Sequence, residues 1–217
     1  MPARPESVLD RRTALRAGLL AAAGVAGLSA CGGGDSAAAA AAATPSASPT
    51  GTPHTATRLT VSPKLPYAEV VSRFEKTVPA LPAAQLGAAV KSKPYAEVKA
   101  LLAKASPVGL FIFYVLDATP FMTKAGHTAK CKTYLMGNPL VAETMYGYNP
   151  GVMLYAPLRT AIYTDEAGAA HLSIDRPSDL FGSFDEAHIA ATGHTLDQKL
   201  AALLTHLKFP VPVELTG

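Results

Sequence analysis

The sequence predicts an α+β domain, and three observations carry that expectation. Residues 158–164 and 169–175 flank Glu166-Ala167-Gly168, a three-residue loop with glycine where a left-handed residue must sit, so they read as a β-hairpin. Residues 108–116 form an unbroken β-branched and aromatic run. Leu196, Leu200, Leu203, Leu204 and Leu207 fall on one helical stripe.

The chain does not begin with that domain. A basic region ending at Arg16 precedes an apolar, small-residue stretch at 17–30, the order of a secretory signal. The stretch is shorter than the roughly 20 apolar residues needed to span a bilayer. It closes in Leu28-Ser29-Ala30-Cys31, a tetrad that resembles a bacterial lipobox, which makes Cys31 the expected site of lipid attachment. Arg11 and Arg12 sit in Asp10-Arg11-Arg12-Thr13-Ala14-Leu15-Arg16, which resembles a twin-arginine export signal except that Ala14 stands where phenylalanine is usual. General secretory export is the alternative. Residues 31–57 then read as a tether of Gly, Ala, Pro, Ser and Thr, with Pro45, Pro49 and Pro53 stopping the alanine run from extending into a long helix. Treated as a flexible chain of about 5–6 Å × √n, it lifts the domain a few tens of Å from the bilayer.

Charge narrows the functional classes. Arg4, Arg11, Arg12 and Arg16 against Glu6 and Asp10 account for two of the three formal positive charges, so the chain after residue 30 carries +1. No basic stripe remains, and a nucleic-acid partner has no electrostatic support. With Cys31 lipidated, Cys131 has no cysteine to pair with.

Residues 58–217 have an ordinary single-domain length. Arg58–Val61 reads as a short edge strand. Pro66 opens a helix whose Tyr67, Val70, Val71, Phe74 and Val78 recur at helical spacing. The phrase Pro66-Tyr67-Ala68-Glu69-Val70 returns as Pro94-Tyr95-Ala96-Glu97-Val98, where Tyr95, Val98, Leu101 and Leu102 make the apolar face. Proline at a first helical position explains both starts. The run at 108–116 lacks polar alternation, which places it centrally in the sheet. A strand near 132–136 leads into Asn138, a helix cap, and Pro139, with the helix running to about Gly147. Ser183 with Glu186 reads as a capping box on a short helix ended by Gly193, and Thr195 with Gln198 as another that opens the leucine-striped helix. In the hairpin, Asp165 pairs with Ala169, Tyr163 faces His171, Ile162 faces Leu172, Ala161 faces Ser173, Thr160 faces Ile174, and Arg159 faces Asp175. The apolar side buries against helices, leaving Arg159, Tyr163, His171, Ser173 and Asp175 on the other.

The series Gly137-Asn138-Pro139, Ala156-Pro157-Leu158-Arg159, Ile162-Tyr163, Asp175-Arg176-Pro177-Ser178 and Leu196-Asp197-Gln198-Lys199-Leu200 resembles the domain of unknown function 302 family over roughly residues 58–207. The resemblance implies a two-layer α+β fold, a largely antiparallel sheet with helices packed on one face. It implies no established activity. Where the family pattern carries Asp-His after the strand at 108–116, this chain has Asp117-Ala118, so no role of that histidine carries over.

The candidate chemistry is sparse. His127 and Cys131 lie four apart among Lys124, Lys130 and Lys132, a setting that lowers a thiol pKa or supplies half a metal site, although two ligands do not close a zinc shell. A lone cysteine beside a strand is more often a small buried hydrophobe. The helix start at Asn138 offers N–H groups to an anion, as most helix starts do. Arg159, His171 and Asp175 form either a binding patch or a cross-strand ion pair on a solvated or dimer-forming face. Met122, Met136, Met145 and Met153 lack copper-site spacing and read as core filler. No Gly-x-Ser-x-Gly, His-Glu-x-x-His or phosphate-loop pattern occurs. The reading is therefore a lipid-anchored envelope protein on the periplasmic or outer side of a membrane, with a non-catalytic domain that binds a small molecule, an envelope protein or a second copy of itself. The alternative is a thiol- or metal-dependent activity centred on His127 and Cys131. No cofactor is expected.

Overall fold

The structure, a computed structural model, describes residues 49–216. Arg11, Arg12, Cys31 and most of the tether lie outside the described residues. Strands β1 (Arg58–Val61), β2 (Phe111–Asp117), β3 (Cys131–Gly137), β4 (Leu158–Thr164) and β5 (Ala170–Asp175) form one sheet in the order β1-β5-β4-β3-β2. Every pairing is antiparallel. Seven helices accompany it: α1 (Tyr67–Thr77), α2 (Ala83–Ser92), α3 (Tyr95–Ala105), α4 (Thr119–Lys124), α5 (Pro139–Tyr146), α6 (Pro177–Gly182) and α7 (Ala187–Leu207). This is the expected α+β class.

Period-two alternation decides which sheet face is covered. Leu59, Val61, Tyr134, Met136, Leu158, Ile162, Leu172 and Ile174 are all buried and join Val70, Phe74 and the α7 leucines in one core. Each fully buried side chain of this size contributes about 1.5–3 kcal/mol. The five α7 leucines thus supply a gross stabilisation comparable to the net stability of a whole domain, before chain entropy is subtracted. A second, smaller core of Ala89, Val98, Leu102 and Phe111 lies under α2 and α3.

The hairpin has the expected register, Tyr163 opposite His171 and Ile162 opposite Leu172. Gly168 adopts φ +82°, and the Asp165 N–H donates to the Ala169 carbonyl at 3.0 Å. Arg58–Val61 is an edge strand, paired with β5.

Four expectations are corrected. First, β2 is not central but the opposite edge. Its apolar run resembles that of a strand buried on both faces, yet only Phe111 and Ile112 are buried, and Phe113 to Asp117 are exposed. Ile112 forms an isolated parallel bridge with Ala80, and among the described residues no strand pairs with the outer edge beyond it. Second, Thr195 caps nothing. It lies inside α7, where its hydroxyl donates to the Ala191 carbonyl at 3.1 Å. Ser183 closes α6, while Glu186 alone caps α7 by accepting from the His188 N–H at 3.2 Å. Third, Gly193 ends no helix, because α7 continues through it. A Cβ there would stand 3.0 Å from the Ser178 Cα and 3.1 Å from the Phe181 Cβ, so the missing side chain lets α6 approach. Fourth, Met136 and Met145 fill the core, but Met122 and Met153 are exposed, as is Tyr95. Helix α2 was not legible in the stripe pattern, since Ala89 is its one buried residue.

Candidate functional site

The turn from β3 into α5 is built by Asn138. Its Oδ1 accepts the Leu140 N–H at 2.8 Å and its Nδ2 donates to the Gly109 carbonyl at 2.8 Å, so the side chain caps α5 and ties it to the chain before β2. Both polar ends are consumed. The space beside the turn is correspondingly not an anion pocket but an apolar one. A cavity of about 310 Å³ opens between α5, the 3-10 turn Pro150–Leu154 and the start of β4. Met145, Leu158, Phe181 and Leu196, all buried, form its floor, and the exposed Phe113 and Met153 stand at its rim. Glu143 is its one charged lining residue. Sequence reasoning reached the cavity only through Asn138, because its walls come from residues as far apart as Phe113 and Leu196 whose individual signals are those of core.

The two residues of the alternative centre lie on different pieces of chain, His127 on the loop after α4 and Cys131 at the start of β3. His127 is exposed, and its N–H closes α4 by donating to the Met122 carbonyl at 3.0 Å. Cys131 is half-buried on β3 opposite Tyr163, its N–H donating to Thr119 Oγ1 at 3.0 Å. Among the described residues no group of three His, Cys, Asp or Glu side chains is arranged to hold a metal ion. Lys132 turns away to an ion pair with Glu75 at 3.1 Å.

Glu75 was not singled out from the sequence, and it organises a polar groove lined by Tyr67, Lys130 and Lys132. It accepts from the Tyr134 hydroxyl at 2.9 Å as well as from Lys132. Burial, and then the Glu75 carboxylate, push the Tyr134 phenol far above its ordinary range, so it stays a protonated donor. The neighbouring Tyr67 hydroxyl is buried with no hydrogen-bond partner among the described residues, and burial raises its pKa too. Two long-range polar contacts of this kind, on α1 and β3, carry no local sequence signal.

On the uncovered sheet face, Arg159 and Asp175 make no ion pair. They stand at the edge of a cavity of about 230 Å³ with Leu135, Tyr155 and Leu180. His171 is bound at both nitrogens, Nδ1 to the Ser62 hydroxyl at 2.8 Å and Nε2 to Asp165 Oδ2 at 3.0 Å. That His171 bond, followed by the Ala169 N–H, holds the Asp165 carboxyl below its usual range. Ser62 and Asp165 are exposed, so the chain of three sits in water and works as a clasp between the end of β1 and the hairpin loop.

Two of the phrases that carry the resemblance, at 175–178 and 196–200, meet in space. Asp197, 3% exposed on α7, accepts the Ser178 N–H at 3.0 Å with Oδ1 and Arg176 Nε at 3.2 Å with Oδ2. Arg176 also donates its main-chain N–H to Thr57 at 2.8 Å, and the Thr57 N–H donates to Asp179 at 2.8 Å. Asp197 therefore caps α6 from another helix, and the Arg176 turn pins the chain where it enters β1.

Comparison with known proteins agrees with this picture. The family model described as domain of unknown function DUF302 matches residues 88–207. A solved structure described as the crystal structure of uncharacterized conserved protein DUF302 from Bacillus stearothermophilus is similar. It shares 16% sequence identity, with 69% of this chain and 97% of that chain covered and a TM-score of 0.50. At that identity the likeness concerns the fold. No curated protein matches the chain.

Proposed function

The chain belongs to the DUF302 family, and from that premise we propose that it is an exported lipoprotein, held to the cell envelope through Cys31, whose domain binds an apolar small molecule without transforming it. The observation that carries the binding half is the cavity beside Asn138. Its lining is aliphatic and aromatic, its floor is rigid core, and its one asparagine is already satisfied, so what enters gains by leaving water and finds no nucleophile or acid–base pair. The envelope half rests on the Leu28-Ser29-Ala30-Cys31 tetrad and its preceding apolar stretch. No helix among the described residues is long and apolar enough to cross a membrane, and an acylated cysteine needs none.

The test uses protein purified from its own envelope. Native mass spectrometry should find a retained apolar molecule, and the emptied protein should bind diphenylhexatriene saturably. Ala142→Trp, which places an indole in the cavity from α5, should weaken probe binding at least about tenfold, the loss of one good apolar contact set. Unchanged binding in that variant, or neither retained molecule nor saturable probe binding in the parent, overturns the ligand assignment.

A further inference from the structure

An edge strand normally carries devices that prevent it from pairing: charges, prolines, brevity or a cover. Between Phe113 and Leu116 β2 carries no charge and no proline; a bulge between Ile112 and Tyr114 and the 79–81 segment over Ile112 guard only its start. Beyond Ile112 its side chains are exposed on both faces, and among the described residues no strand pairs with its outer edge there. Tyr114 (57% exposed) and Leu116 (49%) share the uncovered face with Leu135 and Thr133 of β3, their register neighbours, while Val115 lies on the Tyr134 side. The same arm continues into α4, none of whose residues is buried and whose Phe121 is 74% exposed. We propose that a second copy of this chain pairs with β2 edge to edge, joining two five-stranded sheets into one of ten strands.

The occupant follows from the shape of the exposed surface. A two-fold axis relating identical strand edges makes them antiparallel, which continues a sheet that is antiparallel throughout. The same axis brings the C-terminal end of one β2 beside the start of the other. Phe121 (74% exposed) and Met122 (41%) of α4 are then carried toward Phe113 of the partner subunit. An unrelated extended peptide would cover the edge and leave α4 bare. The area is also adequate. Six exposed side chains from Phe113 to Met122 offer roughly 500 Å² per copy, taking ~150–250 Å² for a whole aromatic residue. That is near the top of what a monomer leaves bare, and the strand main chain adds toward the ~800 Å² per partner of a standard interface. Charge does not oppose it. Lys124 ends α4 and His127 and Lys130 sit on the loop after it, and antiparallel pairing sends the two loops to opposite ends of the strand pair, roughly a strand length of 20 Å apart.

Sedimentation equilibrium of the full chain carrying Cys31→Ala tests the pairing independently of any ligand. A dimer is expected, with self-association weakened at least about 30-fold by Val115→Lys and by Phe121→Lys, each placed at an interface centre. Both side chains are already solvent-exposed, so the far-UV circular dichroism should match the parent, while the parent's Tm alone should rise with protein concentration. As a second readout, Tyr114→Cys should give a disulfide-linked dimer on oxidation, and Arg159→Cys, on the uncovered face of β4, should not. A monomer at 100-fold the concentration where crosslinking is tested, or a dimer untouched by both lysines and trapped by Arg159→Cys, overturns the proposal.

Discussion

Asp197 shows how much of the sequence signature is architecture. It lies on α7, yet the groups it satisfies belong to the turn that opens α6. Asp197→Ala leaves a buried N–H and a partly buried guanidinium without their acceptor, and should lower unfolding free energy by about 2–3 kcal/mol in urea titration. Asp197→Asn retains an acceptor for Ser178 and should cost less. The residues that make the chain resemble its family thus divide into caps and clamps: Asn138 at α5, Arg176 and Asp197 at α6. Asn138 was legible as a cap because its partner lies two residues away. Asp197 was not, because its partners lie 19 and 21 residues back. The same limit hid Glu75, whose partner Tyr134 is 59 residues distant. Nearness in sequence is what pairs His127 with Cys131, and it does not say that one lies on the exposed loop after α4 and the other half-buried on a strand.

At the scale of elements, glycine carries two different meanings. Gly193 is the contact point between α6 and α7, and Gly193→Val forces a branched side chain against α6 backbone, with an expected loss of about 1–3 kcal/mol. Gly87 on α2 has nothing within 4 Å of its missing Cβ. Gly87→Ala should therefore stabilise by up to about 1 kcal/mol through helix propensity alone. Denaturation of the two variants side by side checks both signs. The sequence pattern suggested a stop at Gly193, since a glycine after an apolar stripe and before a threonine looks like a helix end followed by a start. Only packing distinguishes the two. β2 misled for a related reason: an apolar run fits a strand covered on both faces, but composition does not say whether a layer covers each face or where the sheet stops. The hairpin, whose loop and alternation are both local, was legible to the residue pair.

For the whole molecule, the proposed export segment and tether rest on composition and order alone, and the α+β class follows from elements that are individually clear. The anchor has a direct check. Cys31→Ala should move the protein from the membrane fraction to the soluble fraction, and the parent alone should carry acyl mass at its processed terminus. The ligand cavity was beyond sequence reach, because a hollow is a property of how far α5 stands from β4 and not of any residue. One consequence follows from the strand order. β1, where the polypeptide enters, and β2, where a copy would join, are opposite rims of the sheet. In the ten-stranded pair the two entry points stand nine strand spacings apart, roughly 40 Å at ~4.8 Å each. Two acylated termini would then grip the bilayer at separate footholds, so that release requires both to let go at once, and residence time rises with no additional contact between protein and lipid.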